Sequence, residues 1–239
     1  TERVKAALDE GRAPALRAHT DELTRLATLL PHGADTVFLH GPTAPDPETA
    51  AAHLPHTHTL HLDCADYSGL DALTQLWNGR ELTAMARTPH HAKLLLAVEH
   101  VTAIIAINTD TVQFIRNNRS SLIGAGARLT IDNPENIEQA LERTPELCNF
   151  FRADIMKQFH TQNLPGCLAR TPPRALPWFL DTAVMDENTM PDMERITQVY
   201  VQHRYFIHPR PCAGCSIKQD CPGVHINYFR ARGFTPEPR

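Results

Sequence analysis

Residues 36–63 read TVFLHGPTAPDPETAAAHLPHTHTLHLD, and this stretch decides the fold class. Two strands are predicted, over 36–40 and 57–63, because both runs contain residues that favour strands and apolar side chains that can be buried. Between them, Asp46 followed by Pro47 is typical of a helix N-cap and first turn, which predicts a short helix over 47–53. Strand, helix and strand in this order form a βα unit, whose strands run parallel.

The same alternation continues to about residue 145. Further helices and strands are predicted in the order helix 69–77, strand 103–107, helix 111–122, strand 127–131 and a helix introduced by Asn133 and Pro134. An amphipathic helix over 15–30 is predicted before them, because its leucines share one helical face. The sequence therefore predicts an α/β domain over 1–163, either a partial (β/α) barrel or an open, mainly parallel sheet.

The composition excludes several classes of protein. The 239 residues are 42% hydrophobic and 21% charged, as in a soluble globular protein, and the net charge is -4 at pH 7. This balance lacks the basic surface of nucleic-acid-binding proteins, so no nucleic-acid partner is expected. The longest apolar runs, at 94–98 and 103–107, are far shorter than the roughly 20 residues that cross a bilayer, so no membrane association is expected.

The composition changes after about residue 164. More than half of the 19 prolines and four of the six cysteines lie beyond that point. A helix is predicted over about 192–205, where apolar residues recur at helical spacing. The sequence predicts a small, loop-rich, metal-binding C-terminal subdomain over 164–239.

Three cysteines of this subdomain lie within ten residues, in the stretch 211–225, which reads PCAGCSIKQDCPGVH. Two cysteines separated by two residues can turn their sulfurs onto one metal centre, and the turn between them points backbone N–H groups at the thiolates. Cys212, Cys215 and Cys221 are therefore predicted metal ligands. Cysteines this sparse do not form a disulfide scaffold, and a reducing, cytoplasmic compartment is expected.

The identity of the metal has two candidate answers, an iron–sulfur cluster or zinc. A zinc site usually has a second pair of ligands at short spacing, which is not found here, although His225 could complete a site of three cysteines and one histidine. Buried thiols or a disulfide are the alternative without a metal. The cluster is the preferred prediction.

Residues 212–233, CAGCSIKQDCPGVHINYFRARG, resemble the C-terminal tail of radical S-adenosylmethionine (radical SAM) enzymes that carry an auxiliary 4Fe–4S cluster in a SPASM or twitch extension. Residues 163–168, NLPGCL, resemble the segment that supplies one more cysteine to that cluster. The resemblance implies a 4Fe–4S cluster held by Cys167, Cys212, Cys215 and Cys221. His225 stands where the fuller SPASM pattern has a cysteine.

Two family motifs are missing. The C-x-x-x-C-x-x-C motif, which holds the cluster that cleaves S-adenosylmethionine, occurs nowhere in the chain. The Gly-Gly-Glu-Pro turn is also missing, since His40, Gly41, Pro42 and Thr43 follow the run predicted as the first strand. Either the first motif lies upstream of Thr1 or the barrel has degenerated, and the loss of the second motif favours degeneration. Binding of S-adenosylmethionine is doubtful on this reading.

Three functions follow as hypotheses. The first is a degenerate radical-SAM-like partner of an active radical SAM enzyme or of a peptide substrate, in the maturation of a ribosomally made peptide or a cofactor. The second is an active radical SAM enzyme whose motif is absent from this sequence. The third is a zinc-stabilised interaction module.

The fourth ligand is predicted to be Cys167 rather than His225. Recruiting Cys167 closes a long loop, but the entropy of closure is only a few kcal/mol and metal–thiolate bonds readily offset it. Thiolate is also the usual ligand of a cubane cluster. Of the other cysteines, Cys64 is a functional candidate that packing explains better, and Cys148 is predicted to lie in the core.

Overall fold

The computed structural model of the chain describes residues 6, 9–11, 13–30, 32–169, 172–174, 179–186, 188 and 190–235. The chain forms two compact units, each assembled from three segments. The first unit takes Thr1–Met85, Leu94–Thr102 and Pro177–Gln198, and the second takes Ala86–Lys93, Ala103–Leu176 and Val199–Arg239. The division into domains at 163/164 stays a prediction, because these units do not follow the order of the sequence.

The regular elements of the described residues are mostly short. The strands are β1 (Ala13–His19), β2 (Ala34–Thr43), β3 (Thr59–Asp66), β4 (Glu81–Ala86), β5 (Val101–Ala106), β6 (Arg128–Thr130), β7 (His160–Thr161), β8 (Leu180–Asp181), β9 (Phe206–Ile207) and β10 (Val224–His225). The α-helices are α1 (Leu23–Leu29), α2 (Pro47–His53), α3 (Leu70–Leu76), α4 (Pro89–Ala97), α5 (Val112–Gly124), α6 (Ile137–Arg143), α7 (Leu147–Phe150), α8 (Met193–His203) and α9 (Ile226–Arg232).

In the first unit, five strands form a parallel row in the order β4-β3-β2-β1-β8. The register between β1 and β2 runs from Ala13 opposite Ala34 to His19 opposite His40. The core of this unit contains the fully buried side chains of Leu39, Leu60, Leu62 and Trp77. Strands that are buried in this way read as apolar runs, which is why β2 and β3 stand out in the sequence.

In the second unit, β5, β6 and β7 form a second parallel row, and β9 and β10 form an antiparallel hairpin. Its core contains the buried side chains of Ile105, Phe150, Phe159 and Tyr228. The Oη of Tyr228 on α9 accepts a hydrogen bond from the backbone N–H of Leu147, with N and O 2.9 Å apart. This bond anchors the C-terminal helix to the start of α7.

The predicted α/β class with a mainly parallel sheet is confirmed. From β1 to β4, and from β5 to β7, neighbouring strands follow their order in the sequence, as in (β/α) barrels. The exception is β8, which comes late in the chain and pairs with the other edge of β1. Among the described residues, neither row closes into a ring, so the sheet is open.

The predicted helix over 15–30 is wrong in its first half, where the chain forms β1. The helix itself begins only at Leu23. Strand β1 is rich in alanine, which favours helices, but it is paired along one edge with β2 and, at Leu16 and Arg17, along the other with β8. Long-range pairing overrides local propensity here. The run at 36–40, predicted as the first strand, is therefore the second.

The other predicted boundaries agree with the structure in part. Helix α2 spans the predicted residues, and the Asp46 side chain accepts a hydrogen bond from the backbone N–H of Thr49 at 2.9 Å. The predicted cap at Asn133 is wrong, because Asn136 caps α6 instead. Strand β4 was not predicted.

In the described part of the chain, no helix has both the length and the apolar character that crossing a membrane requires.

Candidate metal centre

Three of the predicted ligand cysteines lie in the loop of the hairpin formed by β9 and β10. The strands pair Ile207 with Val224 and Phe206 with His225, which leaves residues 208–223 as the connection. The loop begins with a 3-10 helix, Arg210–Gly214. Successive tight turns continue it, with Cys212 N–H donating to Pro209 O at 2.9 Å and Cys215 N–H to Cys212 O at 3.2 Å.

The base of this hairpin depends on a glycine. Gly223 has φ +81°, and a Cβ at this position would lie only 2.4 Å from the carbonyl oxygen of Ile207. Only glycine adopts this conformation at such close approach without strain. Beside it, His208 Nε2 lies 3.0 Å from the carbonyl oxygen of Cys221. The conformation of Gly223 and the contact of His208 with Cys221 therefore fix the path of the chain from Cys221 into β10.

Cys167 lies in a different loop, which is also closed at its base. Gln162 and Arg174 form a parallel bridge. Asn163 N–H donates to Arg174 O, and Arg174 N–H donates to Thr161 O, each at 2.9 Å. Asn163 has φ 56°, a left-handed conformation that asparagine tolerates better than most residues. These contacts fix the path of the chain into the turn that carries Cys167.

The two loops contact each other directly. A Cβ at Gly166 would lie 2.5 Å from Cδ1 of Ile217, so the backbone beside Cys167 packs closely against the hairpin loop. The N–H of Gly166 donates to Sγ of Cys221 at 3.3 Å, and the N–H of Gly223 donates to the same sulfur at 3.4 Å. Backbone N–H donors to a cysteine sulfur are typical of metal sites, where they stabilise the charge of the ligand.

The structure brings all four predicted cysteines to one recess in the second unit. Its lining includes Cys167, Cys212, Cys215 and Cys221. The recess is narrow, with a cavity volume of about 20 Å³. The alternative ligand His225 is not among the lining residues. It is fully buried on β10, with its ring edge-on to Phe206 at a centroid distance of 5.4 Å.

The thiols of the recess influence one another. The pKa of Cys212 is raised, first by burial and then by the nearby Cys221 and Cys215, while the Lys218 ammonium acts in the opposite direction. Several adjacent thiolates repel each other, and a bound cation would remove that repulsion. The donor set, four soft sulfur atoms with N–H donors to one of them, has the chemistry of an iron–sulfur or zinc site.

The spacing of the donors bears on the kind of metal centre. Among the described residues, no group of three or more His, Cys, Asp or Glu is already arranged as a site for a metal ion. Around one zinc ion, sulfurs at about 2.3 Å from the metal lie within roughly 4 Å of each other. In a cluster each thiolate binds a different iron, so the sulfurs stand further apart.

The other two cysteines differ from these four. Cys64 on β3 is buried, and burial followed by the charge of Asp66 raises its pKa to about 12, which leaves an unreactive thiol. Cys148 is partly exposed and lines a second, larger cavity, so the prediction of a core position is wrong. That cavity also contains Arg152, Lys157 and Arg232, which no sequence pattern brought together.

Polar residues gather where β1 and β2 of the first unit end. The rings of His19 and His40 are edge-on, with centroids 5.4 Å apart. Arg17 Nη1 donates to Asp181 Oδ2 at 3.2 Å, which links β1 to β8. Burial, followed by the Arg17 charge, lowers the pKa of His40. No cysteine occurs at these strand ends, because His19 is followed by Thr20, Asp21 and Glu22.

In comparisons with protein-family models, with curated proteins and with solved structures, the chain matches none.

Proposed function

We propose that this protein holds a 4Fe–4S cluster through Cys167, Cys212, Cys215 and Cys221, and that it acts as a radical-SAM-like accessory protein. The observation that carries the proposal is the meeting of the Cys167 turn and the β9–β10 loop around one recess lined by four thiols. These loops are far apart in sequence, and cysteines packed as ordinary core residues have no reason to converge from both.

The surroundings of Cys221 support the cluster. Its sulfur accepts two backbone N–H groups, from Gly166 and Gly223. Such donors stabilise negative charge on cluster sulfurs and set the potential of the metal centre. When bound, the cluster would supply one-electron chemistry or a fixed structural cross-link. The chain's own contribution is to orient the four sulfurs and to cover one side of the site with the Gly166 backbone.

Zinc is the second candidate, and one observation favours it. The cavity that the four cysteines line has a volume of only about 20 Å³, which suits one ion better than a cubane. A cubane would require the hairpin loop to move outward, and residues 213, 214, 216 and 218–220 of that loop are exposed. Metal analysis decides between the two.

The radical SAM relationship is supported by the order of the strands and by the position of β2. Strands in sequential order with helices between them are typical of (β/α) barrels. The last four residues of β2, at positions 40–43, stand in place of the family's Gly-Gly-Glu-Pro turn. Since β1 ends at His19 and is followed by Thr20, Asp21 and Glu22, the expected position of the catalytic cysteines holds none.

The role that follows is accessory rather than independently catalytic. The chain would bind an active radical SAM enzyme or a peptide substrate in the cytoplasm, during maturation of a ribosomally made peptide or a cofactor. The cluster would hold structure, relay electrons or help to bind the substrate. An active radical SAM enzyme with a further segment is the alternative, and the end of β1 argues against it.

The test is metal and sulfide analysis of protein purified without oxygen. A 4Fe–4S cluster gives about four irons and four acid-labile sulfides per chain and a brown colour. One tightly bound zinc without sulfide would reject the cluster and favour the zinc-stabilised interaction module. Co-purification with the tagged chain, followed by assay of a captured radical SAM enzyme with and without it, tests the accessory role.

A further inference from the structure

A second cavity lies next to the recess, and the two share the side chains of Cys167 and Phe234. The second cavity is much larger, with a volume of about 430 Å³ against about 20 Å³ for the recess. Cavities of about 300–1,000 Å³ are typical of small-molecule sites. Because both cavities belong to the second unit and share a wall, a molecule in the larger one would lie beside the four cysteines.

The charge of this cavity is mainly positive. Arg152, Lys157 and Arg232 line it, against one acidic residue among the described lining, Glu146. The Glu146 carboxylate accepts a hydrogen bond from the Asn149 side chain, so one of its oxygen atoms already has a partner. Three cations around one cavity favour an anionic ligand.

Two of these cations are available for a ligand. Within the described part of the chain, Arg152 and Lys157 form no ion pair and no side-chain hydrogen bond. Arg232 differs, because its Nη2 donates to the carbonyl oxygen of Leu141 at 2.5 Å and thereby holds the guanidinium in place. The site thus combines one fixed cation with two uncommitted ones.

The rest of the lining is largely apolar. Phe151, Leu168 and Phe234 contribute buried side chains, and Cys148 lies among them. An inorganic anion gains nothing from such a surface, whereas an organic acid with an apolar body buries that body while its carboxylate meets the cations. Tyr228 also lines the cavity, and its hydroxyl accepts a hydrogen bond from the backbone N–H of Leu147.

We propose that this cavity binds a carboxylate attached to an apolar body, such as the C-terminal or acidic residue of a peptide, with Arg152 and Lys157 reading the carboxylate. The proposal deepens the proposed function and rests on it only for the role of the neighbouring metal centre. A peptide held here would be positioned beside the four cysteines.

The test is calorimetric titration of anaerobically purified full-length protein with N-acetyl-phenylalanine and, as the matched neutral probe, its primary amide. We expect the acid to bind at least about tenfold more tightly than the amide, because only the acid pairs with the cations. A second arm uses an acetylated pentapeptide that ends in phenylalanine, with a free or an amidated C-terminus. Tighter binding of the free pentapeptide than of the single residue identifies a peptide as the source of the carboxylate.

The variant Arg152→Gln should weaken binding of the acid about tenfold and leave the amide unchanged. Arg119→Gln is the control, because Arg119 is an exposed arginine on α5 that does not line the cavity. Equal weakening of acid and amide, or binding of inorganic phosphate as tight as that of the acid, would overturn the proposal. Iron and sulfide are measured on the same samples. Full iron without acid binding rejects only this site, and acid binding without iron rejects only the cluster.

Discussion

The backbone N–H of Gly166 donates a hydrogen bond to the Sγ of Cys221 at 3.3 Å, across 55 positions of sequence. The bond joins the loop that carries Cys167 to the hairpin that carries the other three candidate ligands. It is made by the backbone, so side-chain substitution at Cys167 leaves the donor in place. The contribution of the Cys167 thiol can therefore be tested separately from the contact between the loops.

Cys167→Ala should reduce the iron content from about four per chain to about three or fewer, because a cubane that loses one thiolate releases the iron it held. Cys148→Ala is the matched control, since Cys148 is also partly exposed but lines only the neighbouring cavity. Iron, sulfide and visible absorbance are measured on both variants. Equal iron in wild type and Cys167→Ala would exclude Cys167 as a ligand.

His225→Ala should keep iron per folded chain near that of wild type. His225 is fully buried and does not line the recess, so its removal acts on packing against Phe206. We expect a lower unfolding temperature and an unchanged ratio of iron to protein in the folded fraction. If His225→Ala loses more iron than Cys167→Ala, a histidine-ligated cluster or zinc becomes the better account.

Gly223→Ala should destabilise the protein by about 2 kcal/mol or more, because it combines a positive φ with a clash against a backbone carbonyl. The control is Gly214→Ala in the same loop, where an added Cβ would meet no atom within 4 Å. That change should alter the free energy of unfolding by less than about 1 kcal/mol. Denaturant unfolding of both variants measures the difference, and similar values for the two would refute the strained geometry.

Stability should decrease as the pH falls, through His40. Burial and the Arg17 charge hold the pKa of His40 below its ordinary value of 6.5, so the unfolded chain binds this proton at a higher pH than the folded chain. The stabilisation is complete above about pH 6.5 and is lost from there down through the folded-state pKa. His40→Asn should flatten this slope in unfolding temperature between about pH 5 and 7.5, whereas His90→Asn, at an exposed position, should not.

The isolated chain should not reductively cleave S-adenosylmethionine. Three closely spaced cysteines that leave one iron open are needed, and the end of β1 offers only His19, Thr20 and Asp21. Chromatography after incubation with a strong reductant should find no 5′-deoxyadenosine above the level of a Cys212→Ala control. Stoichiometric 5′-deoxyadenosine from the wild-type chain would restore the active-enzyme alternative.

The sequence predicted those elements that carry local signals. Asp46 and Pro47 mark the start of α2, and the apolar runs of β2 and β3 mark buried strands. β1 and β4 lack such signals. Alanine, which favours helices, recurs in both strands. β1 owes its form to pairing with β2 and β8, which lie later in the chain.

The same contrast holds for the site. The spacing of three cysteines in the sequence indicates a metal site at Cys212, Cys215 and Cys221. Cys167 was predicted only from the resemblance of its segment to one in the radical SAM family. Arg152, Lys157 and Arg232 carry no pattern. The first two lie between α7 and β7 and the third lies on α9, so only the fold brings them to one cavity. Electrostatic sites of this kind require three-dimensional information.

The split of the first unit into separate segments has a consequence for biosynthesis. β8 supplies a second parallel partner for β1 at Leu16 and Arg17, yet it comes from the segment Pro177–Gln198. At a synthesis rate of about 5–20 residues per second, that segment leaves the ribosome roughly 10–30 s after β1. During this interval one edge of β1 is open to pairing with another nascent chain. Slower or crowded translation should therefore lower the yield of native protein more than it would for a unit made from one continuous stretch.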